Sequence, residues 1–156
     1  MTRHPYARWV NILLIASSAF ALDIFTKFVI FKNLSPDQSI AVLPNIFHIT
    51  LVLNKGAAFG IFNNQTVFFI ALSAITILYI IFYIWRYSSY SYLITLPLGL
   101  IMGGAIGNLV DRVRFGYVID FLDFRIWPVF NVADSAITVG AVILMWSILL
   151  KKTHNP

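Results

Sequence analysis

Four apolar stretches, Val10 to Phe31, Val67 to Trp85, Leu93 to Val110 and Val132 to Leu150, each hold 18 to 22 residues. A helix needs about 20 predominantly apolar residues to cross the hydrocarbon core of a bilayer, so each stretch is long enough for one span. Together they take half of the 156 residues. No room is left for a soluble catalytic domain, a nucleotide-binding sheet or a nucleic-acid module. Any chemistry must use residues of the spans themselves or of the loops at the membrane face. The expected fold class is all-α integral membrane, a single membrane-embedded domain over 1–156 with outer loops at about 32–66 and 111–131.

The ionisable residues narrow the possibilities. The net charge of +5 comes from scattered Lys and Arg without the basic run that nucleic acid would need, so it is read as facing membrane lipids. With no cysteine, disulfides, thiolate metal sites and a cysteine nucleophile are excluded. His4, His48 and His154 are too far apart to form a metal pair on one helix turn, and no H-E-x-x-H is present. The acids are only Asp23, Asp37, Asp111, Asp120, Asp123 and Asp134.

Arg3 and Arg8 precede the first apolar run, and Ala19-Phe20-Ala21 has the small-x-small form of a signal-peptidase site. The apolar character continues to Phe31, so the segment is read as a retained span. Four spans put both termini on one side, where Tyr6, Trp9, Tyr83, Trp85, Tyr87, Tyr90, Tyr92 and Trp146 make an aromatic belt. Basic residues do not decide orientation: Arg3, Arg8, Arg86, Lys151 and Lys152 on the terminal side balance Lys32, Lys55, Arg112, Arg114 and Arg125 on the other. Cytoplasmic termini are expected because the second group lies among four acids, which commits it to a site rather than to topology.

In the first outer loop, Phe47-His48-Ile49-Thr50-Leu51-Val52-Leu53 alternates as a strand does, which predicts a small sheet. Gly56-Ala57-Ala58-Phe59-Gly60-Ile61-Phe62 follows and suits a short interfacial segment. Gly99, Gly103 and Gly107 repeat every four residues in the third span, with Gly104 and Asn108 on the adjacent edge, a pattern that lets helices approach closely.

A carboxylate in the bilayer costs at least about 2.5 kcal/mol on insertion scales, so each one needs a partner or a task. Asp23 can pair with Lys27 one turn later. Asn54 suits a turn, or an amide donor toward a carbonyl oxygen developing charge, with Gly56 letting a substrate backbone come close. Asp111 and Arg112 suit the interfacial end of a helix, but Asn108 lies one turn inside and needs buried partners. Of Asp120 and Asp123, one is expected to be solvated. Asn131 and Asp134 have the spacing of a helix N-cap and its N3 acid.

Asp120 and Asp134 are separated by a loop and a helix start that a fold can close. Two carboxyls in one apolar site hold a single proton between them, the condition for aspartic proteolysis. Two other readings remain open at this point. A proton- or cation-coupled transporter would place acids opposite one another at mid-membrane, whereas most of these sit at the ends of spans. A non-catalytic assembly factor recruiting a partner helix through its glycines leaves the polar residues unexplained.

Asp23-x-x-Thr26-Lys27, Asn54-x-Gly56-Ala57-Ala58-Phe59-Gly60, Gly104-x-x-Gly107-Asn108-x-x-Asp111-Arg112, Val118-x-Asp120-Phe121 and Asn131-x-Ala133-Asp134 follow one another in this order. With these five blocks the chain closely resembles bacterial lipoprotein signal peptidase, signal peptidase II, over essentially its whole length. The resemblance implies a four-helix aspartic endopeptidase of the bacterial inner membrane, with its active site toward the extracytoplasmic face. Such an enzyme removes the signal peptide of prolipoproteins before a cysteine that already carries diacylglyceryl. It further implies an extracytoplasmic sheet and an interfacial helix after the first span, Asp120 and Asp134 as catalytic dyad, and Asp23, Asn54, Gly56, Asn108, Arg112 and Asn131 binding substrate or supporting the site. Lys27, Ala57, Phe59, Gly104 and Gly107 also match family positions, while Ile24 departs from the Gln expected after the first Asp. No metal or organic cofactor is implied, lipidated prolipoproteins and membrane lipids are the expected partners, and a monomer is expected to suffice.

Overall fold

The computed structural model describes residues 5–56, 65–87 and 92–153. The four apolar stretches lie within α1 (Pro5–Asn33), α2 (Thr66–Arg86), α3 (Tyr92–Phe115) and α4 (Val132–Thr153). All four are long and apolar enough to cross a membrane. The chain is a multi-pass membrane protein. Leu14, Phe25, Phe28, Ile75, Leu78 and Trp146 project outward with more than half their surface open, as side chains solvated by lipid tails do.

Helix α3 is the hub, packed against each of the other three. Its glycines make this possible. A Cβ at Gly99 or Gly103 would collide with Ile15 or Ala16 of α1, and one at Gly104 would collide with the Ala133 carbonyl of α4. The glycine ladder therefore divides between two neighbours, one edge for each, and the close approach compensates for the lack of a hydrophobic driving force in lipid. Pro97 lies inside α3, where its ring removes a donor and frees the carbonyl one turn earlier. The Ser147 hydroxyl of α4 takes up that Leu93 carbonyl at 2.9 Å, so the buried backbone stays satisfied.

At one end of the bundle stands a three-stranded antiparallel sheet in the order β1 (Ser39–Leu43), β2 (Phe47–Asn54), β3 (Val118–Asp123). The expected hairpin in the first outer loop is present, turning at Pro44-Asn45 with Asn45 in the left-handed region at φ 62°. The third strand comes from the second outer loop and was not foreseen. Val118-Ile119-Asp120-Phe121-Leu122-Asp123 repeats its acids every three residues and is buried on both faces, so it lacks the period-two alternation that marks a half-buried strand. The expected interfacial helix, with Ala57, Ala58, Phe59 and Gly60, lies outside the described residues.

Candidate active site

Strand alternation separates the two acids of β3. Asp120 and Asp123 are an odd number of residues apart, so their side chains leave opposite faces of the sheet. Asp123 accepts bonds from the Thr50 hydroxyl at 2.8 Å and from the Arg125 guanidinium at 3.0 Å. Burial alone would raise Asp123, but the hydrogen bonds from Thr50 and Arg125 overcome it and hold the carboxyl below its ordinary value. The expectation that one of these acids is solvated fails, since both are buried.

Asp120 faces the helices. Beyond β3 the chain doubles back: the N–H groups of Phe121 and Leu122 both donate to the Phe130 carbonyl, and Leu122 and Phe130 form a bridge. The return delivers Asn131, fully buried, beneath Asp120 and at the head of α4. There Asn131 is the cap that its spacing from Asp134 predicts. Its Oδ1 accepts the Asp134 N–H at 2.8 Å, and the Asp134 Oδ2 accepts the Asn131 N–H at 3.3 Å, a reciprocal capping box.

The same cap joins the two carboxyls. Asn131 Nδ2 donates to Asp120 Oδ1 at 2.7 Å while its other end holds the Asp134 backbone. Asn54, at the end of β2, donates to Asp120 Oδ2 at 2.8 Å, and its own Oδ1 accepts the N–H of Gly56 at 2.9 Å. Asn54 thus takes the turn role through its oxygen, while its amide is directed at a carboxylate and not at the position of a substrate carbonyl. Asn108 of α3 donates to Asp134 Oδ1 at 2.7 Å and accepts from Asn131 Nδ2 at 3.1 Å. Burial first, and then the neighbouring Asp134 carboxylate, push Asp120 up from 3.8 to about 7, against the hydrogen bonds from Asn54 and Asn131 and the charge of Lys27.

Beneath this layer lies an ion triad. Lys27 of α1, only 2% exposed, meets Asp23 at 2.7 Å and Asp111 of α3 at 2.9 Å. The pairing expected between Asp23 and Lys27 is present, and Asp23 also accepts the N–H of Ala133 at 2.9 Å. Gly107 keeps the space open, because a Cβ there would fall on the Asp23 carboxyl. Asp111 is the third member, although its place beside Arg112 in the sequence reads as the interfacial end of a helix. It is 2% exposed and accepts the N–H of Ile119 at 3.2 Å. The available clue was its spacing: Asn108 and Asp111 are three apart on one helix face, so a buried Asn108 brings Asp111 inward with it.

Arg112 joins this cluster only at its edge, where its guanidinium donates to the Asn108 carbonyl at 3.4 Å. Its guanidinium lies over the Phe69 ring of α2, 4.9 Å from the centroid. Phe69 carried no signal in the sequence beyond being apolar in a span. Both residues line a cavity of about 360 Å³ with Asn54, Asp120, Trp127 and Asp134 around its polar part. Leu72, Ile101 and Ile137 continue it as an apolar wall. Among the described residues no three His, Asp or Glu side chains converge as a metal site requires.

The chain is similar to known proteins over most of its length. The family model described as signal peptidase (SPase) II matches residues 15–150. A lipoprotein signal peptidase of Moorella thermoacetica is 48% identical over 144 residues, covering 88% of this chain and 92% of the relative. One from Halothermothrix orenii is 45% identical over 124 residues, covering 80% and 85%. A solved structure described as a bacterial membrane enzyme, obtained by the in meso method, superposes with a TM-score of 0.85 at 33% identity, covering 92% of this chain and 90% of that one. A membrane-embedded bundle, a cluster of buried carboxyls at its sheet end and a match spanning nearly the whole sequence have one common explanation: the chain belongs to the signal peptidase II family, and it is a hydrolase.

Proposed function

We propose that the protein removes the signal peptide from diacylglyceryl-modified prolipoproteins, cutting before the lipidated cysteine with Asp120 and Asp134 as a dyad that activates water. One observation carries the reading: a buried and a half-buried carboxyl from different elements, linked through Asn131, line a cavity whose wall continues between the spans. The pair holds one proton between them. The ionised member takes a proton from water as it attacks, and the protonated member polarises the scissile carbonyl and then supplies the proton to the leaving amine. A lipidated substrate reaches such a site by diffusing within the bilayer. Its signal peptide and acyl chains stay among apolar surfaces while the scissile bond meets the sheet end. Asp23, Asn108 and Asn131 support the dyad, and Asn54, Gly56 and Arg112 flank the substrate backbone. The sheet end then faces the extracytoplasmic side of a bacterial inner membrane, both termini face the cytoplasm, and one chain suffices.

The test uses the purified protein in nanodiscs with a diacylglyceryl-modified prolipoprotein and its unmodified twin. Cleavage of the modified form alone is expected. Equal cleavage of both removes the lipid from the recognition, and no cleavage by folded protein overturns the proteolytic reading.

The two supporting residues at the cavity mouth have smaller, separable effects. Asp120 loses its proton at about 7, so turnover falls as pH rises through that value and the shared proton is lost. Asn54 bonds to the charged form of Asp120, so Asn54→Ala raises the carboxyl further and moves this alkaline limb upward by about half a pH unit, with roughly tenfold lower turnover. Arg112→Ala lowers turnover or raises KM without the complete loss expected at the dyad. Unchanged turnover, KM and pH profile in both variants would remove them from the site.

A further inference from the structure

The triad below the dyad has contacts that a simple buried ion pair would not need. Asp23 holds the N–H of Ala133, the residue before Asp134, and Asp111 holds the N–H of Ile119, the residue before Asp120. Lys27 ties the two acids together and donates to Asn108 Oδ1 at 3.2 Å. That last bond removes an ambiguity. With its oxygen engaged by Lys27 and by Asn131, the Asn108 amide can only present its NH₂ to Asp134. One ammonium group therefore fixes the backbone beside each carboxyl and the rotamer of the amide between them.

From this geometry we infer that Lys27 is the positioning residue of the dyad, acting through Asp23, Asp111 and Asn108, and that its charge sets the pH range over which the pair holds a single proton. The inference rests on the proteolytic reading above. The alternative, that the triad only fastens α1 to α3, accounts for the Lys27 contacts to Asp23 and Asp111. It does not account for the bonds to the residues preceding both aspartates or for the bond to Asn108. Nor is a buried ion triad economical as a fastener, since desolvating three charges often outweighs their attraction and apolar side chains of similar volume serve as well.

The charged groups acting on the pair are Lys27 from α1 and Arg112 from α3, with Asp134 beside Asp120, while Asp23 of α1 and Asp111 of α3 stand behind as the partners of Lys27. Removing the Lys27 cation favours the protonated carboxyl. Lys27→Met is expected to shift the alkaline limb of turnover upward by about one pH unit, and to lower the maximum because Asn108 is free to flip. Asp111→Asn keeps the shape and the cation but deletes an anion, so its limb moves the other way, to lower pH. This second variant keeps the test open if Lys27→Met does not fold, because Asn at 111 still offers an oxygen to the Ile119 N–H and leaves Lys27 paired with Asp23. Turnover of the lipidated prolipoprotein is measured against pH for both variants and for the wild type in nanodiscs, beside their melting temperatures. Lower melting temperatures with limbs at the wild-type position would overturn the inference and leave the triad a fastener. A wild type that cleaves nothing instead overturns the proteolytic reading, and the inference falls with it.

Discussion

Asp120→Asn and Asp134→Asn each reduce cleavage of a lipidated prolipoprotein by about 10³-fold or more, to background, while the protein stays folded in the membrane. Neither change alters side-chain size, so the effect isolates protonation. An amide at 120 can neither accept a proton from water nor pass one to the leaving amine, and the remaining carboxyl cannot serve as base and acid at once. The stability side of this prediction has the opposite sign. Asp120 is held above its ordinary 3.8 by burial and by the Asp134 carboxylate, so the folded protein resists an ionisation that the unfolded chain undergoes freely. The stability associated with this group is complete below pH 3.8 and is lost as pH rises through about 7. Asp120→Asn removes that loss, so at pH 7 the variant melts no lower than the wild type, apart from one carboxylate hydrogen bond from Asn54 or Asn131 that an amide cannot accept. Dead enzyme with an undiminished melting temperature is the expected pair of results. Residual turnover within tenfold of wild type in either variant would remove that residue from the dyad.

The physics of the sequence predicts some parts of this molecule far better than others. Four spans are legible because crossing lipid demands length and apolarity and little else. The glycine ladder of α3 is legible for a related reason: residues without side chains in a span have few uses other than close approach. Strand β3 is not legible, because a segment buried on both faces has no alternation to display. Residue chemistry shows that Asp120 and Asp134 can share a proton, and the spacing of Asn131 and Asp134 shows a helix cap. That the cap and the carboxyl pair form one structure depends on the return of residues 124–130, which brings Phe130 against Leu122 and places Asn131 under Asp120. Local patterns hold no information on that return. Asp111 shows a milder limit: a carboxylate beside an arginine at the end of a span reads as interfacial, its spacing from Asn108 hints at an inward face, and its partner Lys27 lies on a different helix that local pattern does not reach.

Asn131→Ala has the second-largest expected effect, because one side chain there satisfies groups from three elements. Its oxygen caps α4 at Asp134, and its nitrogen donates to Asp120, to Asn108 and, at 3.4 Å, to the Ile119 carbonyl. Loss of an N-cap alone costs about 0.5–2 kcal/mol. Here the site is fully buried, so a carboxylate oxygen and an amide oxygen each lose a donor that water cannot easily replace, adding about 1–3 kcal/mol for each group left unmade. A melting temperature lowered by several degrees is therefore expected. The activity loss should exceed what that destabilisation predicts, about 10²-fold in turnover of protein that is still folded, because Asp120 and Asp134 lose the group that sets their separation. Asn131→Asp separates the two contributions. Aspartate is as good a cap as asparagine, so α4 keeps its start. It has no NH₂ to give Asp120, and it brings a third negative charge against the pair. Stability near wild type at low pH with turnover as poor as in Asn131→Ala would show that the bridge to Asp120, and not the helix cap, is what the dyad requires. Turnover restored by aspartate would reduce Asn131 to a cap.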